Sequence, residues 1–227
     1  MYQLYIANKN YSSWSLRPWI LLSQLGIPFE ECIVPFDTGS NWEKFRRFSP
    51  SGKVPCLVDD QTIVWDSLAI AEYLAESYPE VWPDSREARA WARCASAEMH
   101  SGFSVLRNSC PMSVGVRIRP HQLSEQLITE LARLSELWEQ GLNQFGGPFL
   151  AGKKFTAVDA FFAPVAFRIQ SYDLPVSPTA KAYAERLLNL QSMMEWEEEA
   201  LKEVWREEGH EQEALAIGIL LNDLRAR

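Results

Sequence analysis

Two short stretches hold the residue types from which a reaction site could be built. Residues 8–17, Asn-Lys-Asn-Tyr-Ser-Ser-Trp-Ser-Leu-Arg, put the hydroxyls of Tyr11, Ser12 and Ser13 just ahead of a predicted helix. Unpaired backbone N–H groups and the helix dipole favour negative charge at such a point. A thiolate brought there would be stabilised and its pKa lowered. A free thiol near pKa 8.5 is only a few per cent ionised at neutral pH, and each unit of depression takes about 1.4 kcal/mol. A hydroxyl donor and a helix end together can supply roughly one to two units. The hydroxyl acts as donor and keeps its own proton.

Residues 50–67, Pro-Ser-Gly-Lys-Val-Pro-Cys-Leu-Val-Asp-Asp-Gln-Thr-Ile-Val-Trp-Asp-Ser, read as a loop, a Val-Pro junction, two strands joined by a tight turn, and a capped helix start. Val54-Pro55 is a candidate cis bond, because proline cuts the trans preference to about 0.5–1 kcal/mol. A cis bond here would turn the backbone polar groups of Val54 outward, where an extended peptide could pair with them as an added strand. Asp66-Ser67 would offer an acceptor and a donor at a helix N-terminus, suited to an amino-acid head group.

The elements that must position these residues alternate in the first ~80 positions. Residues 2–6 read as a strand, 15–25 as a helix stopped by Gly26 and Pro28, 29–34 as a second strand and 41–48 as a short irregular helix. Residues 56–58 and 62–65 form a hairpin through Asp59-Asp60-Gln61, and a helix opens at Ser67. The order is βαβαββα. Pro79 and Pro83 bracket a linker, and Asp84-Ser85-Arg86-Glu87 has capping-box spacing with Asp84 as the cap. Beyond it the chain reads as helices: 86–108, 123–143, an apolar helix opened by Thr156-Ala-Val-Asp159 and kinked at Pro164, then 179–205, and a last helix over the apolar run 215–221.

The chain has 227 residues, 47% hydrophobic and 23% charged, with a formal net charge of −8. That balance disfavours nucleic acid, whose phosphates call for an excess of Lys and Arg. No 18-residue apolar run predicts a membrane span, and the N-terminus lacks a signal-type pattern, so a cytoplasmic location is expected. Cys32, Cys56, Cys94 and Cys110 form no Cys-x-x-Cys pair, and His100, His121 and His210 lack metal-ligand spacing. No metal is expected.

The order strand, Val-Pro, hairpin, acid-Ser and helix resembles the glutathione site of the glutathione S-transferase family. The Ser12-Ser13-Trp14-Ser15-Leu16-Arg17 stretch resembles the catalytic motif of its zeta-like members, which include maleylacetoacetate isomerases. The resemblance implies a thioredoxin-like α/β domain over 1–80, a linker over 81–86 and an all-helical domain over 87–227. It implies that Ser12, or otherwise Ser13 or Tyr11, holds the glutathione thiolate for attack on a small electrophile, as in detoxifying conjugation. Val54, next to Pro55, would pair with the cysteinyl unit. Asp66 and Ser67 would meet the γ-glutamyl end, where the family more often has Glu or Gln before the serine. Lys53 would reach the glycine carboxylate. The co-substrate pocket would involve Met99, Phe103, Met112 and the loop 114–120, with Arg117 and Arg119 drawing an acidic compound. A homodimer is implied as well. Trp14 stands where the zeta motif has a cysteine, which weighs against an isomerase and against disulfide exchange through this loop. The competing expectations are a zeta-type isomerase, a non-catalytic binding protein on the same fold, and a thiol reductase working through Cys56 or Cys32.

Overall fold

The computed structural model describes residues 1–226. A four-stranded sheet is built from β1 (Tyr2–Ile6), β2 (Phe29–Ile33), β3 (Cys56–Asp59) and β4 (Thr62–Trp65) in the order β2-β1-β3-β4. β1 and β2 are parallel, with Leu4 beside Glu31; β3 runs antiparallel to both β1 and β4. A crossover helix, α1 (Ser13–Leu25), joins the parallel pair, as parallel pairing requires. α1 buries Leu16, Trp19, Ile20, Leu21 and Leu22 and ends at Gly26, whose φ of 67° is the left-handed conformation of a helix C-cap. After β2 comes only one turn of helix, α2 (Trp42–Phe45), shorter than the expected 41–48. The hairpin turns at Asp60-Gln61, with Asp60 at a φ of 51°.

α3 (Ser67–Ser77) closes this layer and a 3-10 turn follows at Pro79–Val81. The next helix, α4 (Arg86–Ser101), is capped by Ser85, whose hydroxyl accepts from Ala88 N–H; the expected Asp84 cap is displaced by one residue. The expected single helix over 86–108 is broken at Gly102 and Phe103, the latter at a φ of 51°, and resumes as α5 (Ser104–Ser109). α6 (Glu125–Phe145), α7 (Ala157–Tyr172), α8 (Pro178–Leu188) and α9 (Gln191–Lys202) complete the helical layer. The continuous helix expected over 179–205 is thus two, divided by the turn at Asn189 and Leu190.

α7 lies at the centre, every residue buried except Gln170. Its Asp159 carboxylate accepts from Thr156 N–H at 3.0 Å, Leu150 N–H at 3.0 Å and the Tyr183 hydroxyl at 2.7 Å. Full burial outweighs these bonds and pushes its pKa up to about 6.

The run 215–221 corrects the last helical expectation. α10 (Glu208–Leu215) ends as the run begins, and β6 (Gly218–Asp223) pairs antiparallel with β5 (Val116–Pro120). Gly218 makes that pairing possible: a Cβ there would sit 2.0 Å from the carbonyl oxygen of Arg119. A short apolar run fits either period, and the approach to Arg119 decides it.

The C-terminal third grips the loop between β1 and α1. Lys9 is fully buried and pairs with Glu31 at 2.7 Å and with Glu199. Its ammonium lies 4.8 Å from the centroid of Trp19 and 5.2 Å from that of Trp196. Trp196 Nε1–H donates to Lys9 C=O at 3.0 Å. Glu203 accepts from the backbone N–H of Lys9 at 2.6 Å and of Asn10 at 3.2 Å. Burial raises the Glu203 pKa against these bonds.

Two outcomes follow from these buried carboxylates. Glu203→Ala strands two buried N–H groups, at about 1–3 kcal/mol; thermal melting should show a Tm lower by several degrees, at roughly 2–4 °C per kcal/mol. The Asp159 shift is upward from 3.8 to about 6, so its contribution to stability is full below the unfolded value and lost as pH rises through 6. Urea unfolding of wild type and Asp159→Asn at pH 4 and pH 7 should therefore show their stability gap narrowing at the higher pH, by up to about 3 kcal/mol.

Candidate functional site

Ser12 is the N-cap residue of α1, yet its side chain makes no cap bond. Instead its hydroxyl donates to Ser15 Oγ at 2.7 Å, and Ser15 Oγ accepts from Ala7 N–H at 3.3 Å. Ser12 is 5% exposed and lines a cleft of about 670 Å³. The usual service of a pre-helix serine, satisfying an orphan N–H, is therefore not what this one does. Ser13 and Tyr11 line the same cleft. The Tyr11 hydroxyl is committed elsewhere: it donates to Glu211 and lies 3.4 Å from Arg225 Nη1. Burial and the Glu211 carboxylate raise the Tyr11 pKa.

The Val54-Pro55 bond is cis. Val54 stands just outside the β3 ladder, which begins at Cys56, and lines both the main cleft and an adjoining one of about 410 Å³. The smaller cleft holds Lys53, Pro55, Asp66 and Ser67, and Trp14 and Lys53 border both. Asp66 adopts a φ of 76° and caps α3, accepting from Leu68 N–H at 2.8 Å. Its other carboxylate oxygen lies 3.3 Å from His100 Nε2. Ser67 is 1% exposed and its hydroxyl has no partner among the described residues, an open donor at the head of a helix. Gly52, at a φ of 62°, lets the ring of Trp42 lie 2.4 Å from where a Cβ would be, so the loop carrying Lys53 packs flat on α2.

The structure thus brings Ser12, Ser13, Lys53 and Val54 to one wall system, with Pro55, Asp66 and Ser67 in the adjoining hollow. Of the expected co-substrate residues only Met112 lines the cleft. Met99 and Phe103 are core residues. Arg117 is turned to Glu197 and to the carbonyls of Val114 and Val116, and Arg119 is exposed on β5.

Two other arginines take their place. Arg107 and Arg168 line the main cleft, and Arg17 lies behind Trp14 with its guanidinium 4.1 Å from that ring's centroid. Arg168 donates from Nε to Cys110 C=O at 2.8 Å; among the described residues its Nη1, Arg107 Nε and Arg17 Nε and Nη1 are buried without partners. Burial, Arg168 and Arg107 together lower the Arg17 pKa. Burial brings Arg168 down to about 10. Guanidinium N–H groups without acceptors beside a cleft suit an anion. Sequence spacing gave no hint of this cluster, because α1, α5 and α7 each supply a single arginine.

Cys56 and Cys110 are buried, and burial pushes their thiols up to about 11 and about 12. Among the described residues no group of three or more His, Cys, Asp or Glu is placed to hold a metal ion, and no helix is long and apolar enough to cross a membrane.

Comparison with known proteins identifies the family and the fold. Residues 11–77 match the glutathione S-transferase N-terminal domain and residues 121–206 the C-terminal domain of the same family. A probable maleylacetoacetate isomerase of Caenorhabditis elegans is 28% identical over 180 residues, covering 77% of this chain and 82% of that one. A zeta-class glutathione S-transferase of Euphorbia esula is 28% identical, covering 67% and 70%. A glutathione transferase homologue from Burkholderia gl BGR1, solved with bound glutathione, is 25% identical with a TM-score of 0.65, covering 88% of this chain and 97% of that one. On its sequence, its sheet order and its helical second layer, the chain belongs to the glutathione S-transferase family.

Proposed function

We propose that this protein binds glutathione, holds its thiolate with the Ser12 hydroxyl, and directs it at a carboxylate-bearing electrophile. The observation that carries the reading is the Ser12 side chain itself: buried at the head of α1, lining the cleft, and not spent on capping. On binding, Ser15 can donate to Ser12 Oγ, freeing the Ser12 proton for the sulfur. Tyr11 is the poorer donor, since its O–H is already donated to Glu211. The tripeptide would run as an added strand along Val54, with its amino-acid head at Asp66 and Ser67 and its glycine carboxylate near Lys53.

Within this reading, isomerisation of a cis-unsaturated acid has the support of the zeta-class and isomerase relatives. The thiolate adds to one alkene carbon, the former double bond becomes single and rotates, and expulsion of the thiolate restores it in the trans form. Glutathione is not consumed, and Arg107 and Arg168 would hold the carboxylate. A second reading, net conjugation, is favoured by one observation: Trp14 replaces the motif's cysteine beside the cleft. A reductase through Cys56 or Cys32 is disfavoured, because burial raises both thiol pKa values. The exposed Ile63 and Trp65 on β4 support an apolar contact in a homodimer, and the four free cysteines suit a reducing cytoplasm.

Thiolate absorbance against pH should place the bound sulfur's pKa about one to two units lower in wild type than in Ser12→Ala, with conjugation of a chlorinated nitroarene at neutral pH falling in parallel. An unchanged pKa would transfer the role to Ser13 or Tyr11. Arg107→Met should raise KM for a cis-unsaturated diketo acid about tenfold or more and leave KM for the uncharged nitroarene unaltered, since a lost charged hydrogen bond is worth about 1.5–3 kcal/mol. Equal effects on the two compounds would contradict an anion site.

A further inference from the structure

His210 occupies a place no feature of its sequence surroundings announces. It sits in the first turn of α10, far along the chain from the catalytic loop, yet lines the same cleft as Ser12. Its ring stacks on Tyr11 at 5.0 Å between centroids and on Phe36, also at 5.0 Å. Glu207 holds it in place. That carboxylate accepts from the backbone N–H of Gly209 at 3.1 Å and of His210 at 2.9 Å, and lies 2.7 Å from His210 Nδ1. Burial works against its ionised form, but the bonds from His210 and Gly209 prevail and the Glu207 pKa is lowered. An ionised acceptor at Nδ1 fixes the tautomer with the proton on that nitrogen. Nε2 is then the ring's acceptor nitrogen, and it makes no hydrogen bond among the described residues.

The geometry points to His210, oriented by Glu207, as the base that takes the proton from the glutathione thiol as it meets Ser12. This rests on the glutathione reading above. The step is a proton transfer: the S–H bond breaks, an Nε2–H bond forms, and the electron pair stays on sulfur. The result is an imidazolium–thiolate pair, with Ser12 donating to the thiolate. The proton leaves to water when the thiolate is consumed, or returns when glutathione departs. The groups around the ring divide by sign. The acidic groups are Glu207, Glu211 and Glu213 of the α10 segment. The basic groups are Arg225, bound to Glu211 and Tyr11, and Lys53, Arg107 and Arg168 of the same cleft lining. The carboxylate partner orients the ring and the shared cleft gives it access, two of the things a general base needs.

Calorimetry of glutathione binding at pH 7, repeated in buffers of different ionisation enthalpy, counts protons released to solvent; thiolate absorbance counts thiolates formed. Wild type should release clearly fewer protons than thiolates formed, because His210 keeps them. His210→Gln, which preserves a polar contact to Glu207, should release one proton per thiolate formed. Its nitroarene conjugation at pH 7 should fall about 100-fold, the lower range for general acid–base catalysis, with added imidazole restoring part of the rate to His210→Ala. Equal proton counts in wild type and His210→Gln would overturn the assignment even with glutathione bound tightly. If wild type takes up no glutathione, the underlying reading fails first and takes this one with it.

Discussion

The grip of α9 on the loop between β1 and α1 is the constraint on which the site depends. Lys9 is a buried cation, costly to hold in a low-dielectric interior unless paired. Glu31 supplies one partner from the sheet layer and Glu199 another from the helical layer, with Trp19 and Trp196 against the ammonium. Glu203 and Trp196 occupy the backbone groups of Lys9 and Asn10. The chain three residues before Ser12 therefore has little freedom. Under the proposed function this matters, because a hydroxyl that meets a developing charge must be held in place beforehand. The two layers thus meet at this loop: the sheet layer carries Ser12, and the helical layer holds Lys9 and Asn10 just before it.

Charge is distributed to the same end. The whole chain carries a net −8, yet the main cleft is bordered by Lys53, Arg107 and Arg168, with Arg17 behind Trp14. Local field rather than net charge governs what a cleft attracts. Trp14 connects these parts. Its ring stacks on Arg17, meets His100 edge-on at 5.2 Å, and borders both hollows. The residue that departs from the zeta-like motif thus lies against two guanidinium groups, Arg17 at 4.1 Å and Arg107 at 5.3 Å from its ring centroid.

The first layer was legible in the sequence because each element there is short and punctuated. Gly26 and Pro28 end α1, Val54-Pro55 marks the junction before β3, and Asp66 opens α3, so local chemistry fixes the order. The hydroxyl at Ser12 and the open donor at Ser67 could be found the same way, since each sits at a helix head. What could not be read was assembled by tertiary contact. Arg17, Arg107 and Arg168 come from three helices, and His210 from a fourth, with no shared spacing. The break at Gly102 and Phe103 interrupts an otherwise helical pattern, and residues 218–223 form a strand because β5 is there to pair with them. Apolar periodicity over a few residues carries no information about such a partner.

A crystal of the protein soaked with reduced glutathione would test the central claim most directly. The account predicts the sulfur within hydrogen-bond reach of Ser12 Oγ, the peptide paired to Val54, and the γ-glutamyl head at Asp66 and Ser67. A sulfur seated on Tyr11 or Ser13, or a tripeptide lying away from Val54, would contradict it.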